Sequence, residues 1–229
     1  MNIFYDFLSL LYPDLCVACK KALITGEKTL CTSCFHKLPR TDFHHENHNI
    51  LHEIFMGRIK LEQMVAFLYF KKGGMVQEII HQFKYKNRTE VGNTLGEIYA
   101  YELMQCNWIN NIDFLIPIPL HGKKLKKRGF NQSEEFAKGL SKILDLPLRS
   151  DLLSRAIFSE TQTRKSKYQR WENVKDIFEL KNPEQLKDAH VLLVDDVITT
   201  GATIEAAATC IKKSSKAKVS VVALAFTDL

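Results

Sequence analysis

The chain has 229 residues, of which 45% are hydrophobic and 25% are charged. This length and composition predict a soluble globular protein with a sizeable core, made of one large α/β domain and a small additional module. The formal net charge of +6 favours anionic ligands, whether phosphate, pyrophosphate or nucleic acid, and does not select among them. A chain without a core is excluded, and no internal repeat or low-complexity tract is present.

The N-terminal segment, residues 1–13, combines one apolar helical face with a proline that ends the element. It lacks a basic flank and a small-residue cleavage site, and its apolar stretch is shorter than a membrane span. We therefore expect a short packed helix, with neither export nor membrane insertion. Together with six cysteines, four of them in a metal-like spacing, this indicates a cytoplasmic protein.

Four cysteines follow in two close pairs with the spacing C-x2-C-x11-C-x2-C. Each pair can supply two thiolates from one turn, and two such turns complete the tetrahedral shell of a zinc ion. The predicted zinc ligands are Cys16, Cys19, Cys31 and Cys34. Because four sulfur ligands leave no position for water, we expect a structural zinc; a redox pair and plain buried thiols are the alternatives.

The sequence divides into three parts. Residues 1–40 hold the N-terminal helix and the cysteine module, residues 41–60 form a connector, and residues 61–229 form the main domain. A run of histidines at 44–48 is interpreted as a solvated loop rather than a metal site, because no second cluster of ligands is spaced to meet it.

The main domain begins with residues 64–70, which are rich in strand-forming side chains and precede a Gly-Gly break. Two helical stripes come next, over residues 76–83 and 91–98. Lys84 stands with two further bases at the end of the first helix, where the three either line an anion site or are solvated.

A short apolar run at 113–120 is bracketed by prolines and precedes a strongly basic stretch at 121–132. We expect a strand, then a loop with five bases, then a helix capped at Asn131. The anion-binding candidates in this loop are Lys123, Lys124 and Arg128. A plain solvated loop and contact with a nucleic-acid backbone are the alternatives.

Residues 147–157 predict another strand, and the basic segment 159–170 that follows is polar and without apolar periodicity. It predicts a long loop, whose further anion-binding candidates are Lys165, Lys167 and Arg170. An idle surface loop is the alternative.

The stretch 191–203, VLLVDDVITTGAT, carries the strongest functional signal. It predicts a buried strand that ends at Asp195 and Asp196 and opens into a tight turn at a helix N-terminus. The free N–H groups of such a turn can wrap a phosphate, and Gly201 allows close approach. Since neighbouring carboxylates can accept hydrogen bonds from paired sugar hydroxyls, the pattern favours a ribose 5-phosphate site over an ordinary strand with a polar end.

The apolar run 219–226 predicts a strand that is covered on both faces. Strand–helix–strand repetition in the main domain therefore predicts an α/β fold with a doubly wound parallel sheet. The sequence contains neither GxxxxGK[ST] nor GxGxxG, so a P-loop and a dinucleotide fingerprint are excluded.

The stretch 191–203 closely resembles the phosphoribosyl pyrophosphate (PRPP) signature of type I phosphoribosyltransferases. This resemblance implies that Asp195 and Asp196 are the catalytic acids and hold the ribose hydroxyls. It implies that the 5′-phosphate is cradled by Thr199, Thr200, Gly201, Ala202 and Thr203. It also makes 159–170 similar to the flexible hood that closes over PRPP in these enzymes.

Residues 117–132, PIPLHGKKLKKRGFNQ, resemble the signature of the ComF family. The paired cysteines, this element and the final acidic stretch occur in that family's order, so the resemblance spans nearly the whole chain. It implies a type I phosphoribosyltransferase-like doubly wound parallel sheet with a small N-terminal zinc-knuckle module. Members of the family are associated with DNA uptake in natural competence.

Two functions follow from these resemblances. The first is a glycosyltransferase of the pentosyl class, which moves a 5-phosphoribosyl group from PRPP to an unknown acceptor, with Mg²⁺ on the departing pyrophosphate. The second is a non-catalytic module that senses PRPP or a nucleotide, or handles single-stranded DNA with proteins of the uptake machinery.

Overall fold

The computed structural model describes residues 13–85, 88–155 and 177–227. The strands are β1 (Met64–Phe70), β2 (Phe114–Pro117), β3 (Leu153–Arg155), β4 (Phe178–Leu180), β5 (His190–Ile198) and β6 (Lys218–Thr227). The helices are α1 (Thr32–His36), α2 (Ile50–Phe55), α3 (Met75–Tyr85), α4 (Thr89–Leu103), α5 (Gly122–Arg128), α6 (Gln132–Leu144) and α7 (Ala202–Ser214). Short 3-10 turns lie at Phe43–His45, Asn107–Asn111 and Pro183–Leu186.

Four strands form one parallel sheet in the order β1-β6-β5-β2. Of the two central strands, β6 is buried along nearly its whole length and β5 is buried from Val191 through Asp195. Because successive side chains of a strand point to opposite faces, continuous burial means that both faces are covered. The predicted α/β fold with a parallel sheet is therefore confirmed.

Short segments cover both edges of this sheet. Beside β1, Thr41 donates its backbone N–H to Phe67 at 3.0 Å. Beside β2, Arg149 donates to Leu115 at 2.8 Å, and Leu148 forms a parallel bridge with Leu115. These segments satisfy backbone groups that an open edge would present to other chains.

The strand predicted within 147–157 is present as β3, but it lies outside the parallel sheet. It pairs antiparallel with β4 in a separate two-stranded sheet. The intervening segment, with the hood candidates Lys165, Lys167 and Arg170, falls outside the described residues, as does the N-terminal helix predicted before Pro13.

The basic stretch after β2 forms α5, so the prediction of a loop there was wrong. Lysine, leucine and arginine are good helix formers. The ring of His121 caps the helix by accepting the N–H of Lys123 at 3.2 Å, and Gly129 ends it with a φ of +82°. The segment is therefore a charged surface helix.

Two glycines allow α4 and α6 to cross in close contact. A Cβ atom on Gly139 would lie 2.2 Å from the carbonyl oxygen of Asn93, and one on Gly96 would lie 2.3 Å from that of Phe136. Neither separation is possible for a real side chain. This crossing fixes α6, whose N-terminal residues face the end of β5.

Candidate functional site

The acid pair lies in the second half of β5, near the side of the sheet where the parallel strands end. Asp195 is buried, with 8% of its surface exposed. Its Oδ1 atom accepts the hydroxyl of Ser133 at 3.1 Å and the backbone N–H of Asp196 at 2.8 Å. The first turn of α6 therefore holds one carboxylate in a fixed orientation.

Burial, followed by the neighbouring Asp196 carboxylate, raises the pKa of Asp195 to about 7. The bonds from Ser133 and from the Asp196 N–H, together with the charge of Lys84, act in the opposite direction. Near neutral pH this carboxyl group thus stands between its protonated and ionised forms. Cations brought close to it would shift the balance toward the carboxylate.

Lys84 pairs with the second acid. Its Nζ lies 2.6 Å from Oδ2 of Asp196, and both side chains are less than one fifth exposed. Lys84 was predicted only as a candidate for an anion site, and the crossover from β1 through α3 brings it to the acids. An ammonium group here partly offsets two adjacent carboxylates and lies within reach of an anion beside them.

The turn that connects β5 to α7 follows directly. Gly201 has a φ of +75° and occupies the N-cap position of α7. The first N–H groups of a helix have no intrahelical acceptor, and their dipoles favour an anion. Residues 199–203 also line a small cavity of about 30 Å³, which is bordered by Asp195. We call residues 199–203 the phosphate turn.

A larger open cavity of about 680 Å³ lies beside Asp196. One part of its lining is apolar and includes Phe70, Ile80 and Val197. Another part is basic and includes Lys72, His81 and Lys84. The remaining lining residues are Gln77, Asp196, Thr199 and Thr227.

The four predicted zinc ligands come together in the N-terminal module. The Sγ atoms of Cys16, Cys19, Cys31 and Cys34 all lie within 4.8 Å of one another. One of the distances, between Cys19 and Cys31, is 3.8 Å, the separation of two sulfurs in a tetrahedral site with Zn–S bonds of about 2.3 Å. The donor set is therefore compatible with a structural zinc.

The thiols of this cluster differ in acidity. Burial acts to raise the pKa of Cys16, but backbone N–H groups, first that of Cys31, lower it to about 7. Burial and the neighbouring thiols raise the pKa of Cys34. One thiolate thus forms readily while the next is opposed, and a dication would hold the full set ionised.

Comparison with known proteins finds a family match in the C-terminal part of the predicted main domain. Residues 131–227 match the family model of the phosphoribosyl transferase domain. This part of the chain is therefore similar to phosphoribosyl transferase domains. The acid pair and the phosphate turn both lie inside the matched region, whereas the domain start proposed at residue 61 stays a prediction.

Similar proteins span most of this chain. The DNA utilization protein YhgH of Escherichia coli K12 is 29% identical over 93% of this chain and 91% of its own length. The competence protein ComFC of Bacillus subtilis is 27% identical over 85% and 82%. The competence protein F of Haemophilus influenzae is 28% identical over 64% and 66%. With the cysteine cluster, these matches confirm the resemblance to the ComF family.

The RGFNQ element, residues 128–132, overlaps the start of the matched region and precedes Ser133, which contacts Asp195. Asn131 stands at the N-cap of α6, and the sequence predicted that its side chain caps the helix. This prediction was wrong, because the side chain donates instead to the carbonyl of Ile118 at 3.0 Å. Gln132 is 1% exposed and accepts a bond from Arg128 at 2.7 Å. The element thus joins the end of β2 to the start of α6, which carries Ser133.

The basic residues predicted as anion ligands differ in their exposure and in their contacts. Lys123 and Lys124 are exposed on α5, while Arg128 is half-buried and binds Gln132. Of the bases predicted as anion ligands, Lys84 is the one within the described residues that pairs with an acid of the site. A role for Lys123 and Lys124 stays a prediction.

The connector contacts the phosphate turn, which sequence reasoning missed. Arg58 donates to the carbonyl of Thr200 at 3.0 Å and forms an ion pair with Glu205 of α7. Phe55 of α2 is 1% exposed and packs on Gly201. No local pattern could reveal these contacts, because they join residues about 140 positions apart in the chain.

The histidine run is not uniformly solvated. His44 is 6% exposed, and burial lowers its pKa, whereas His45 and His48 are exposed. The interpretation as a solvated loop was therefore wrong for His44, whose ring is buried against Tyr99 of α4. Among the described residues, the cysteine cluster is the metal-compatible group.

No helix within the described ranges combines the length and the apolar character needed to cross a membrane.

Proposed function

We propose that this protein binds PRPP at the end of β5 and transfers its 5-phosphoribosyl group to an acceptor, with release of pyrophosphate. One observation carries the proposal: two adjacent carboxylates, one held by Ser133 and one paired with Lys84, border a helix N-terminus open to an anion. A ribose 5-phosphate presents the complementary groups, two hydroxyls and a terminal phosphate.

The phosphate turn binds the 5′-phosphate in this proposal. Backbone N–H groups at the start of α7 donate to the phosphate oxygens, and the hydroxyls of Thr199, Thr200 and Thr203 add further donors. The carboxylates of Asp195 and Asp196 accept the ribose 2′- and 3′-hydroxyls. Both bonds are stronger when the acids are ionised, so the high pKa of Asp195 makes binding pH-dependent.

Mg²⁺ fits this donor set, because hard carboxylate oxygens are its preferred protein ligands and it usually retains several waters. Asp195 and Asp196 would hold it, directly or through water, and its charge would offset that of pyrophosphate. The chain's own groups do the rest: the turn and the acids orient the ribose, and Lys84 offers a positive charge to the departing oxygen.

In the transfer step, the bond between ribose C1 and the pyrophosphate oxygen breaks, and a bond from C1 to the acceptor forms. Pyrophosphate leaves with the electron pair of the broken bond. Positive charge that develops on C1 is stabilised by the negative charge of the two carboxylates. Lys165, Lys167 and Arg170 lie outside the described residues and stay candidates for neutralising the leaving group.

The cavity beside Asp196 offers space for the acceptor. It borders the acid pair, and its lining combines apolar side chains with Lys72, His81 and Lys84. Such a lining suits a flat, partly apolar acceptor that carries negative charge or several hydrogen-bond acceptors. The cavity is open, so a larger acceptor can enter from solvent.

A role in DNA handling is proposed from the relatives, whose names refer to DNA utilization and to competence. The alternative function, a module that binds PRPP without turnover and contacts single-stranded DNA, draws on the basic face of α5. This helix exposes Lys123 and Lys124 with two further lysines. Backbone phosphates would bind such a face with strong salt dependence.

Calorimetry with PRPP and Mg²⁺ tests the site. We expect Asp195→Asn combined with Asp196→Asn to weaken binding about 100-fold or more, because two charge-assisted bonds are lost. Asp188→Asn, at the opposite end of β5, is the control and should bind as the wild type does. Equal affinity of the double variant and the control would refute the site.

A screen for pyrophosphate release separates the two functions. Bases, amines and aromatic acids are each incubated with the protein, PRPP and Mg²⁺. Release that depends on one acceptor class and is lost in the double variant supports a transferase. Binding of PRPP without release, together with salt-dependent binding of single-stranded DNA, supports the alternative.

A further inference from the structure

We propose that Arg58 is a positioning residue for the phosphate turn: from outside the turn, it holds the Thr200–Gly201 peptide in the orientation that presents the Gly201 N–H to a sugar 5′-phosphate. This inference rests on the proposed function of the turn. It gives a role to the connector, for which the sequence indicated none.

The guanidinium group of Arg58 is almost fully used by the protein. Its Nη1 donates to the carbonyls of Thr200 at 3.0 Å and Ile54 at 3.1 Å. Its Nε donates to Oε2 of Glu205 at 3.0 Å, and its Nη2 contacts the same oxygen. Four of the five N–H groups of an arginine are thus engaged. Arg58 therefore acts through the turn rather than as a direct ligand of the phosphate.

Peptide geometry determines the consequence for Gly201. In a trans peptide, the carbonyl of one residue and the N–H of the next point in opposite directions. Arg58 lies on the carbonyl side of Thr200, so the N–H of Gly201 points away from the connector. The peptide also donates more strongly when a cation polarises its carbonyl.

A second contact from the same segment restricts the turn independently. The ring of Phe55 packs so closely on Gly201 that an added Cβ atom would lie 2.6 Å from its Cζ. The guanidinium of Arg58 in turn stacks on Phe55, 5.8 Å from the ring centroid. Gly201, at a φ of +75°, is thereby held in a conformation that few other residues adopt.

Glu205 anchors the arginine. It lies in the first turn of α7, four residues after Gly201, and its backbone N–H closes that turn on the Gly201 carbonyl at 2.9 Å. The ion pair thus ties the connector to the helix that carries the phosphate turn. Its side chains are 35% and 33% exposed, so its value lies in orientation more than in stability.

The test measures affinity for ribose 5-phosphate and for PRPP by calorimetry, together with the ¹H–¹⁵N resonance of Gly201 without ligand. We expect Arg58→Ala to weaken both ligands about tenfold and to shift the Gly201 resonance. Arg58→Lys keeps the charge but cannot form the several hydrogen bonds of a planar guanidinium group. Its affinity and its Gly201 resonance should therefore lie between those of Arg58→Ala and the wild type.

Lys212→Ala is the matched control. Lys212 of α7 donates to the carbonyl of Lys60 at 2.7 Å, so it also ties the connector to this helix, but far from the phosphate turn. It should leave both the affinity and the Gly201 resonance unchanged. An Arg58→Ala protein that binds like wild type, or an equal loss in Lys212→Ala, would overturn the proposal.

Glu205→Gln distinguishes positioning from direct binding. If Arg58 orients the turn, loss of its anchor should weaken ribose 5-phosphate binding; if Arg58 is a ligand held back by Glu205, affinity should rise, which would refute positioning. A wild-type protein that binds neither compound would refute the proposed function. In that case the Gly201 resonance still decides whether Arg58 holds the turn.

Discussion

The candidate phosphate site and the cysteine module obtain their shape in different ways. β5 is a central strand of the parallel sheet, and the core covers both of its faces. The core therefore positions the acid pair without a ligand. Residues 13–40 contain few buried apolar side chains, among them Val17, Leu30 and Leu38. In the first region the fold determines the positions of the site residues, whereas in the second we expect a bound metal to stabilise the fold.

Removal of one cysteine ligand should produce the largest effect. Structural zinc sites contribute about 10–16 kcal/mol to folding in isolated zinc-finger peptides, so Cys16→Ser should unfold the module while β5 and β6 stay protected. Hydrogen exchange with peptide resolution measures both regions in one experiment. Elemental analysis of the wild type should find about one zinc per chain.

Cys210→Ser is the control for this prediction, because Cys210 lies on α7, away from the cluster. It should retain the metal and the exchange pattern. If Cys16→Ser leaves residues 13–40 protected, the module does not depend on the metal, and the contrast between the two regions fails.

Substitutions at the crossing of α4 and α6 test the other region, where we expect the site to depend on packing of the core. Gly139→Ala would place a Cβ 2.2 Å from the Asn93 carbonyl, so the helices must separate, and we expect a loss of about 3 kcal/mol in urea unfolding. Gly122→Ala, where an added Cβ meets no atom within 4 Å, should change stability by less than about 0.5 kcal/mol. Similar values for both variants would contradict the close crossing.

The pH dependence of stability should report on Asp195. Its pKa rises from 3.8 to about 7 on folding, so between these values the folded state binds more protons than the unfolded state. Its contribution therefore makes the free energy of unfolding fall as pH rises from about 4 to 7 and level off above. Asp195→Asn should remove this component from urea titrations; an unchanged profile would exclude Asp195 as its source.

The affinity for PRPP should follow the opposite trend, because binding uses the ionised acid. Below the pKa, affinity should rise at most about tenfold per pH unit and then level off above pH 7. Calorimetry across this range measures it. A flat profile from pH 6 to 8 would mean that Asp195 does not accept a bond from the ligand in its ionised form.

The smallest effect is expected at Ser133. Ser133→Ala removes one of the two bonds to Oδ1 of Asp195, so the pKa of Asp195 should rise further and PRPP affinity at pH 7 should fall about fivefold. Ser141 of the same helix donates to the Leu146 carbonyl and has no contact with the acids, so Ser141→Ala is the control. Equal affinities would assign Ser133 to structure alone.

The sequence predicted the parts of this protein that local patterns encode. Apolar runs located β1, β5 and β6, and the cysteine spacing located a cluster that the structure brings together. Charge, in contrast, was a poor guide at 121–132: a run of bases suggested a loop, although its residues favour a helix. The prediction that Asn131 caps α6 failed for a different reason: its amide binds a carbonyl thirteen residues earlier in the chain.

Contacts between segments distant in the chain could not be predicted from the sequence. Ser133 and Asp195 are 62 positions apart, and Arg58 and Thr200 are 142 apart. His44 carries no sign in its neighbours that β1 and α4 will bury it. Such pairings arise from packing of the whole chain, which no window of residues contains.

The central claim is that the phosphate turn and the acid pair bind one sugar phosphate together. A crystal structure of the protein with PRPP and Mg²⁺ tests it most directly. We predict the 5′-phosphate among the N–H groups of residues 199–203 and the ribose hydroxyls on Asp195 and Asp196. PRPP bound at the lysines of α5, with the phosphate turn closed by protein side chains, would contradict the account.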